Sequence, residues 1–424
     1  MVDYPNKLDK IFDKLDLLNI KPIIVGGYIR DFLIKTHLNE EKKSTHYTLS
    51  KDIDIELYGI SSLNLLEEAL EEFGSVNSVG KSFGVCKVSY DNLDLDFSLP
   101  RLDSKISSGH KGFKIKTPSN MSFKEAAFRR DFTINAIGYD VKNKKLLDPY
   151  GGLKDLQNRT LNAVDSRSFV EDPLRVLRAV QFAARFDFSL SKDTFLLCQN
   201  MLKKEMLNEL SKERIYDEIK KLLLKSNKPS LGFKLLRELE GLNYFHELKT
   251  LSQEDWNFTL NALDNMSSVK VQEEKTNIIL MLSTLCYKLS SSNILTFLSS
   301  LTRDKEILAK VLALTQNRLK TKMSNSELYR LAQYLKIEES LTLHCALYEN
   351  NKNLYDLVKI KAKKLGVLNK KLEPLLQGRD LLNHGLSPSK EFSEILSLAY
   401  EAQMDEKFKN REEATEWLNR ELLS

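Results

Sequence analysis

Two short acidic stretches set the strongest limit on what this chain can fold into. They are Asp52-Ile53-Asp54 and, further along, Leu93-Asp94-Leu95-Asp96-Phe97. In an extended strand, successive side chains point to opposite faces. Asp52 and Asp54 then project together, with Ile53, Ile55 and Leu57 on the other side. Asp94 and Asp96 likewise share a face opposite Leu93, Leu95 and Phe97. Laid side by side, two such strands place three carboxylates around divalent cations. Carboxylate oxygens suit magnesium, which binds through a few carboxylates together with nucleotide phosphates. That fits two-metal phosphoryl or nucleotidyl transfer, in which the ions hold both the attacking and the leaving oxygens. A solvated strand face carrying ordinary aspartates has the same pattern.

The flanking sequence extends this core. Residues 7–19 read as an amphipathic helix with Leu8, Ile11, Phe12, Leu15 and Leu18 on one side. Pro22 to Val25 reads as a strand, Gly26-Gly27 as a tight turn, and Tyr28 to about His37 as a helix. Paired glycines between strand and helix allow close backbone approach, and the first helical amides can receive a phosphate. Arg30 lies near this turn, with a planar fork suited to phosphate oxygens. A glycine pair is equally an ordinary tight connection. Residues 38–50 read as a polar linker and 61–73 as a helix stopped at Gly74. A hairpin then turns at Tyr90-Asp91-Asn92. From Pro100 to Asn120 the basic, glycine-bearing sequence predicts a mobile loop. Ser122 and Glu125 form a capping box leading to Arg129-Arg130-Asp131. Phe132 to Ile137 reads as an apolar strand, and Leu147 to Gly152 as a turn.

At Glu171-Asp172-Pro173-Leu174-Arg175, Asp172 reads as a helix cap and Pro173 as the first helical residue. Arg175 and Arg178 lie three apart and face roughly the same way. Asp172 and Arg175 together offer an acceptor and a donor to a planar base. Cap and surface arginines are the alternative. Beyond Ser189 the pattern is persistently helical, with Ser211 a cap for the segment holding Glu213, Arg214 and Glu218. Helical runs follow at about 230–247, 251–266, 271–290, 292–317, 325–348, 351–365 and 390–418. The lysines at 359, 361, 363, 364, 370 and 371 suit either a solvated helix face or a nucleic-acid backbone.

With 424 residues, 42% apolar and 29% charged, the chain has room for several domains with substantial cores. Its net charge of +5 permits a nucleic-acid partner without demanding one. Four dispersed cysteines indicate neither a disulfide framework nor a zinc site. The start lacks the apolar core of a signal peptide, and no stretch has the length of a membrane span. The expected location is therefore the cytoplasm.

In order along the chain stand Gly26-Gly27-Tyr28-Ile29-Arg30-Asp31, Asp52-Ile53-Asp54, Arg129-Arg130-Asp131 and Glu171-Asp172-Pro173-Leu174-Arg175. In this arrangement the chain resembles the bacterial class II tRNA nucleotidyltransferase and poly(A) polymerase family, particularly the CCA-adding enzymes. The likeness spans roughly residues 22–224. It implies an α+β polymerase-β-like nucleotidyltransferase head with a mixed sheet, followed by all-helical neck, body and tail. The expected bounds are 1–160 for the head, 161–224 for the neck, 225–365 for the body and 366–424 for the tail. By resemblance, Gly26, Gly27 and Arg30 map to the triphosphate-binding turn, and Asp52 and Asp54 to the metal-binding carboxylates. Asp96 is a better match than Asp94 for the third acid, as ligand, base or both. Arg129, Arg130 and Asp131 map to sugar and phosphate contacts, with Asp131 reading the ribose hydroxyl. Asp172 and Arg175, with Arg178 nearby, map to the amino-acid template that recognises cytosine or adenine. Residues around Asp103 to Gly112 resemble the flexible element that accompanies the switch from C to A.

The implied activity is template-independent addition of CCA to the 3′ end of tRNA from CTP and ATP, with Mg2+ as cofactor. Alternatives are poly(A) addition, specialised CC- or A-addition, and a catalytically silent RNA-binding protein. Some relatives carry a phosphohydrolase domain marked by a His-Asp doublet. Here His246, His344 and His384 are scattered and none precedes Asp, so no active hydrolase site is expected.

Overall fold

The computed structural model describes residues 2–37, 52–60, 64–77, 85–100, 102–105, 113–116, 121–269 and 271–421, and it sets the two acidic stretches on adjacent strands. The polar linker at 38–50 lies outside the described residues. In chain order the first elements are α1 (Asp9–Leu17), β1 (Lys21–Val25), α2 (Gly27–His37), β2 (Asp52–Tyr58) and α3 (Asn64–Leu70). There follow β3 (Ser75–Asn77), β4 (Val85–Tyr90), β5 (Leu93–Ser98), β6 (Leu102–Lys105), β7 (Phe113–Lys116) and α4 (Phe123–Ala127). Next come β8 (Gly138–Asp140), β9 (Lys145–Leu147), α5 (Gly152–Gln157), β10 (Thr160–Leu161), α6 (Ser166–Val170) and α7 (Leu174–Phe186). The described elements continue with β11 (Ser189–Leu190), α8 (Lys192–Lys203), α9 (Lys212–Lys225) and α10 (Pro229–Glu238).

The main sheet has the order β3-β4-β5-β2-β1-β8-β9. It is mixed because β2 and β5 run parallel while the other neighbours are antiparallel. One side is wholly apolar: Ile24, Ile53, Ile55, Leu57, Leu95 and Phe97 are completely buried. Burying each such side chain contributes about 1.5–3 kcal/mol, which fixes the strand register and turns the aspartates outward. The hairpin turn is Asp91-Asn92, both at positive φ (46° and 63°), the conformation that matches the twist of two-residue hairpins. At one end the opposite side is also covered. Ile23, Val25 and Tyr58 pack there against Met121 and Ala126 of the α4 region.

Several elements differ from their sequence-based expectation. The anticipated strand at Phe132–Ile137 is a short 3-10 turn, Thr133–Asn135, and the strand begins only at Gly138. Side-chain bonds hold the turn: Thr133 Oγ1 donates to Asp155 (2.5 Å) and Asn135 Nδ2 to Asp131 (2.9 Å). The anticipated loop at 100–120 contains the antiparallel pair β6–β7, while 106–112 lies outside the described residues. Leu18 falls beyond the end of α1 and is 45% exposed. Four of the anticipated helical runs are each divided. The run at 230–247 becomes Pro229–Glu238, a 3-10 turn at Gly241–Asn243 and His246–Lys249. Asp304 caps a new helix inside 292–317, Ser324 caps Asn325–Leu331 ahead of Ile337–Leu347, and the final run breaks into Lys390–Met404 and Arg411–Glu421.

Residues 1–222 and 231–244 form one compact unit, and 223–230 with 245–424 a second. The regular elements of the second are all helices among its described residues. Its buried aromatic group centres on His344. Nδ1–H donates to Ser340 O (2.8 Å), while Nε2 accepts from Leu319 N–H (3.1 Å) and lies 3.3 Å from Tyr287 Oη. Tyr348 and Tyr355 flank the ring. Burial holds the imidazole below its ordinary value; the Ser340 bond opposes this and Arg318 adds to it. An unfolded histidine therefore takes up a proton before this one does. Stability is complete above the unfolded value of about 6.5 and falls as pH drops through it. Because Trp256 and Trp417 both lie in this unit, tryptophan-monitored denaturation at pH 7.5 and 5 is expected to show that loss. It should be smaller in His344→Gln.

Candidate active site

Parallel pairing of β2 with β5 aligns Asp52 with Asp94 and Asp54 with Asp96. The four carboxylates stand on a lattice of about 5 Å between strands and about 7 Å along them. Asp52, Asp54 and Asp94 are exposed and Asp96 half-buried. Asp94 accepts from Ser89 Oγ (3.2 Å), whereas Asp96 pairs with Lys87 Nζ (2.9 Å). Among the described residues, no three acidic, histidine or cysteine side chains close around a point as a metal shell would.

The Asp54 carboxyl is nevertheless raised above its ordinary value. Asp54 keeps an exposed edge, but the protein crowded around its carboxyl strips water from it, and this desolvation is the main cause; Arg130 opposes it, and Asp96, Glu56 and Asp52 add to it in that order. Crowded carboxylates with one opposing arginine are a donor set that a divalent cation would relieve. A hard cation completing its shell with substrate phosphates needs only one or two of them. On this observation Asp54, together with Asp96 across the strand pair or Asp52 two residues along, fits a divalent ion.

The same sheet face continues inward from Asp54 to Glu56, 1% exposed and bonded by Arg130 Nη2 (2.7 Å) and Tyr58 Oη (2.9 Å). Burial raises the Glu56 carboxyl, but Arg130, Arg129 and the Tyr58 hydroxyl outweigh it and hold it below the ordinary value. Beside this row lies the glycine turn. Gly26 has φ +70°, and a Cβ there would come within 3.2 Å of both Arg130 Nη1 and Asp54 Oδ2. Gly26→Ala is expected to lower stability by about 1–3 kcal/mol, read as a shifted midpoint in denaturation followed by circular dichroism.

Arg30, expected at the phosphate turn, is instead buried in the core. Its Nε donates to Asp31 (2.8 Å), its Nη1 to Asn135 Oδ1 (2.7 Å), and the guanidinium lies over Phe182 and Phe186. Desolvation explains the difference: an arginine on the buried side of α2 needs internal acceptors, and Asp31 and Asn135 supply them. Asp31 also accepts from Arg185 Nη2 (2.9 Å). Asp131 is similarly enclosed. Phe132 N–H and Asn135 Nδ2 donate to Oδ1, and Arg178 Nε to Oδ2 (2.6 Å). Although burial raises the Asp131 carboxyl, Arg178 and Asn135 lower it more. The structure thus joins Asp131 and Arg178 to each other.

Asp172 caps the start of α7 by accepting from Leu174 N–H (3.1 Å), and both its oxygens also receive Arg214 Nη2 (3.2 and 3.0 Å). Arg175 donates from Nη1 to Ser168 O (2.7 Å) and from Nη2 to Arg129 O (2.5 Å). Arg175 is therefore fixed in one orientation beside Asp172. Sequence reasoning missed Glu56, Asn135, Lys87 and the pairing of Arg214 with Asp172. The expected specificity element around Asp103 to Gly112 lies largely outside the described residues, and nothing is assigned to its side chains.

Residues 23–162 match the family model described as the poly A polymerase head domain. Residues 187–251 match that described as a probable RNA and SrmB-binding site of polymerase A. The chain is 35% identical over 232 residues to the multifunctional CCA protein of Pseudoalteromonas atlantica, covering 54% of this chain and 52% of that one. It is 36% identical over 236 residues to the CCA-adding enzyme of Blochmanniella floridana, covering 55% and 51%. Over these residues the chain is similar to the bacterial class II tRNA nucleotidyltransferase and poly(A) polymerase family. Its match spans about half the length of these relatives. Members of this family generally use divalent metal ions. The family fold extends further than the sequence match: the crystal structure of the Bacillus stearothermophilus CCA-adding enzyme in complex with CTP superposes with TM-score 0.74. That alignment has 20% identity and covers 98% of this chain and 97% of that one. Among the described residues no helix is long and apolar enough to cross a membrane.

Proposed function

We propose that this chain adds CCA to the 3′ end of tRNA in the cytoplasm, using CTP and ATP with Mg2+. The observation that carries the reading is the parallel register of Asp52/Asp54 with Asp94/Asp96 beside the Gly26-Gly27 turn. Asp52, Asp54 and Asp96 are the residues that would hold magnesium. When bound, the metal supplies Lewis-acid stabilisation of the reacting oxygens and phosphates. Without a Cβ at Gly26 or Gly27, the turn lets a triphosphate approach the first amides of α2, where the helix dipole favours negative charge. Arg130, held by Glu56, points its charge at the same place and offsets charge that develops on the phosphates. In the reaction the RNA 3′ oxygen bonds to the α-phosphorus, the bond to the β-phosphate bridging oxygen breaks, and pyrophosphate leaves. Asp96 stands on the hydroxyl side to accept the proton.

Asp172 and Arg175 read the base edge, and their fixed partners keep both side chains in place before the nucleotide arrives. Arg129, Arg130 and Asp131 serve the sugar and phosphates; Asp131 acts through Arg178, with which it pairs. Arg30 supports the turn from below. The head, neck, body and tail bounds remain those given by the resemblance. The reading is tested with tRNA transcripts ending before CCA, after C and after CC, each given CTP or ATP. CCA addition requires CMP on the first two, AMP on the third, and a stop after A. Continued adenylation of generic RNA, or arrest after CC, would replace it with one of the other activities.

A further inference from the structure

Strand register orders more than the acids. Reading straight across the sheet, Lys87 on β4 pairs with Asp96 on β5, Asp96 with Asp54 on β2, and Asp54 with Val25 on β1. Directly paired residues share a face, so Lys87, Asp96 and Asp54 form one outward row that ends where Val25 leads into the Gly26-Gly27 turn. Lys87 is 63% exposed, with its ammonium 2.9 Å from Asp96. Its neighbours Cys86 and Val88 point into the core, which leaves the lysine no inward alternative. Ser89, the next outward residue of β4, is spent on Asp94. Lys87 is the cation at the far end of the row, about two strand spacings from Asp54, or about 10 Å.

In-line displacement puts the attacking and leaving oxygens on opposite sides of the phosphorus. With the triphosphate at the glycine turn, the leaving pyrophosphate lies at the β1 end and the attacking hydroxyl at the β5 end. The RNA strand behind that hydroxyl must then pass over β4. There its last phosphodiester meets a lysine that, in the RNA-free protein, rests on Asp96. We propose that Lys87 binds the 3′-terminal phosphodiester of the RNA primer and thereby positions its hydroxyl beside Asp96. This rests on the nucleotidyltransferase reading above and adds the side from which RNA enters. Lys87 is a positioning residue: arriving RNA replaces one anionic partner, Asp96, by another and frees the carboxylate for the reaction.

The test uses the full chain, wild type and the variants Lys87→Gln and Lys87→Arg, with a tRNA transcript lacking CCA. CMP incorporation and RNA binding are measured across a series of KCl concentrations. Lys87→Gln is expected to raise KM for RNA about fivefold to tenfold, as loss of a charge-assisted bond implies, while KM for CTP moves less than twofold. The slope of log binding constant against log salt should fall in magnitude by about 0.7, one phosphate contact on a single strand. Lys87→Arg should restore most of both. An unchanged RNA KM and salt slope in an active Lys87→Gln enzyme overturns the inference and leaves the activity standing. A rise confined to CTP also overturns it. A wild type that incorporates nothing removes the activity itself, and the inference with it.

Discussion

Asp54→Asn is expected to lower nucleotide incorporation by about a thousandfold or more while leaving the protein as stable as wild type. The two halves of this result have different physical origins. Asp54 lies next to Asp96 across the strand pair and within contact range of Gly26, so it stands between both proposed halves of the reaction. Its carboxyl is raised by desolvation and by three neighbouring acids against one arginine. A carboxyl whose folded value exceeds its unfolded one binds its proton more tightly in the native state. The stability it contributes is present at low pH and lost as pH rises through the folded value. The charged form of Asp54 is therefore a burden on the fold, and the neutral amide removes it without leaving a void. Thermal unfolding with an incorporation assay on the same preparation checks both halves. Loss of activity accompanied by a large drop in melting temperature would assign Asp54 a structural role instead.

The second large effect concerns stability. Asp31→Ala should cost about 3–5 kcal/mol, the range for breaking a buried ion pair. Asp31 is the counter-ion of two arginines. Arg30, with 6% of its side chain exposed, donates from Nε, and Arg185 from Nη2. Removing the carboxylate leaves Arg30 charged over the Phe182 and Phe186 rings, with Asn135 as its remaining hydrogen-bond partner among the described residues. Hydrogen exchange should accelerate at the amides of α2 and α7. Tryptophan fluorescence should report little change, because Trp256 and Trp417 belong to the second unit. Unaltered exchange in α2 would contradict the burden placed on this ion pair. The expected reach extends to the site, since Asn135 joins Arg30 to Asp131, and Asn135 O accepts from Arg130 Nη1 (3.2 Å).

What was legible in the sequence followed local periodicity. Alternation in Asp52–Leu57 and Leu93–Phe97 gave both strands and their faces, and the Ser122–Glu125 capping box is present with both of its bonds. Lys87 was also within reach. A two-residue turn at Asp91-Asn92 pairs Tyr90 with Leu93, and counting back along the hairpin pairs Lys87 with Asp96. Arg30 and Asp131 read as nucleotide-binding residues from their place in the family's motifs, and that place says nothing about depth. Only the packing of α7 against the turn reveals that Phe182, Phe186, Arg178 and Arg185 enclose them. Phe132 to Ile137 reads as a strand by composition, yet side-chain bonds to distant Asp155 and Arg30 select the tight turn. Helix breaks at Asp304 and Ser324 were missed because apolar spacing runs through them, although each is a good capping residue.

The most direct test is a crystal structure of this chain with CTP and a divalent cation. Carboxylate oxygens of both Asp52 and Asp54 should lie within about 2.0–2.2 Å of a magnesium ion, with the triphosphate running toward the Gly26-Gly27 amides. A triphosphate seated elsewhere, with those two aspartates still facing open solvent, would contradict a catalytic role for the paired acidic strands.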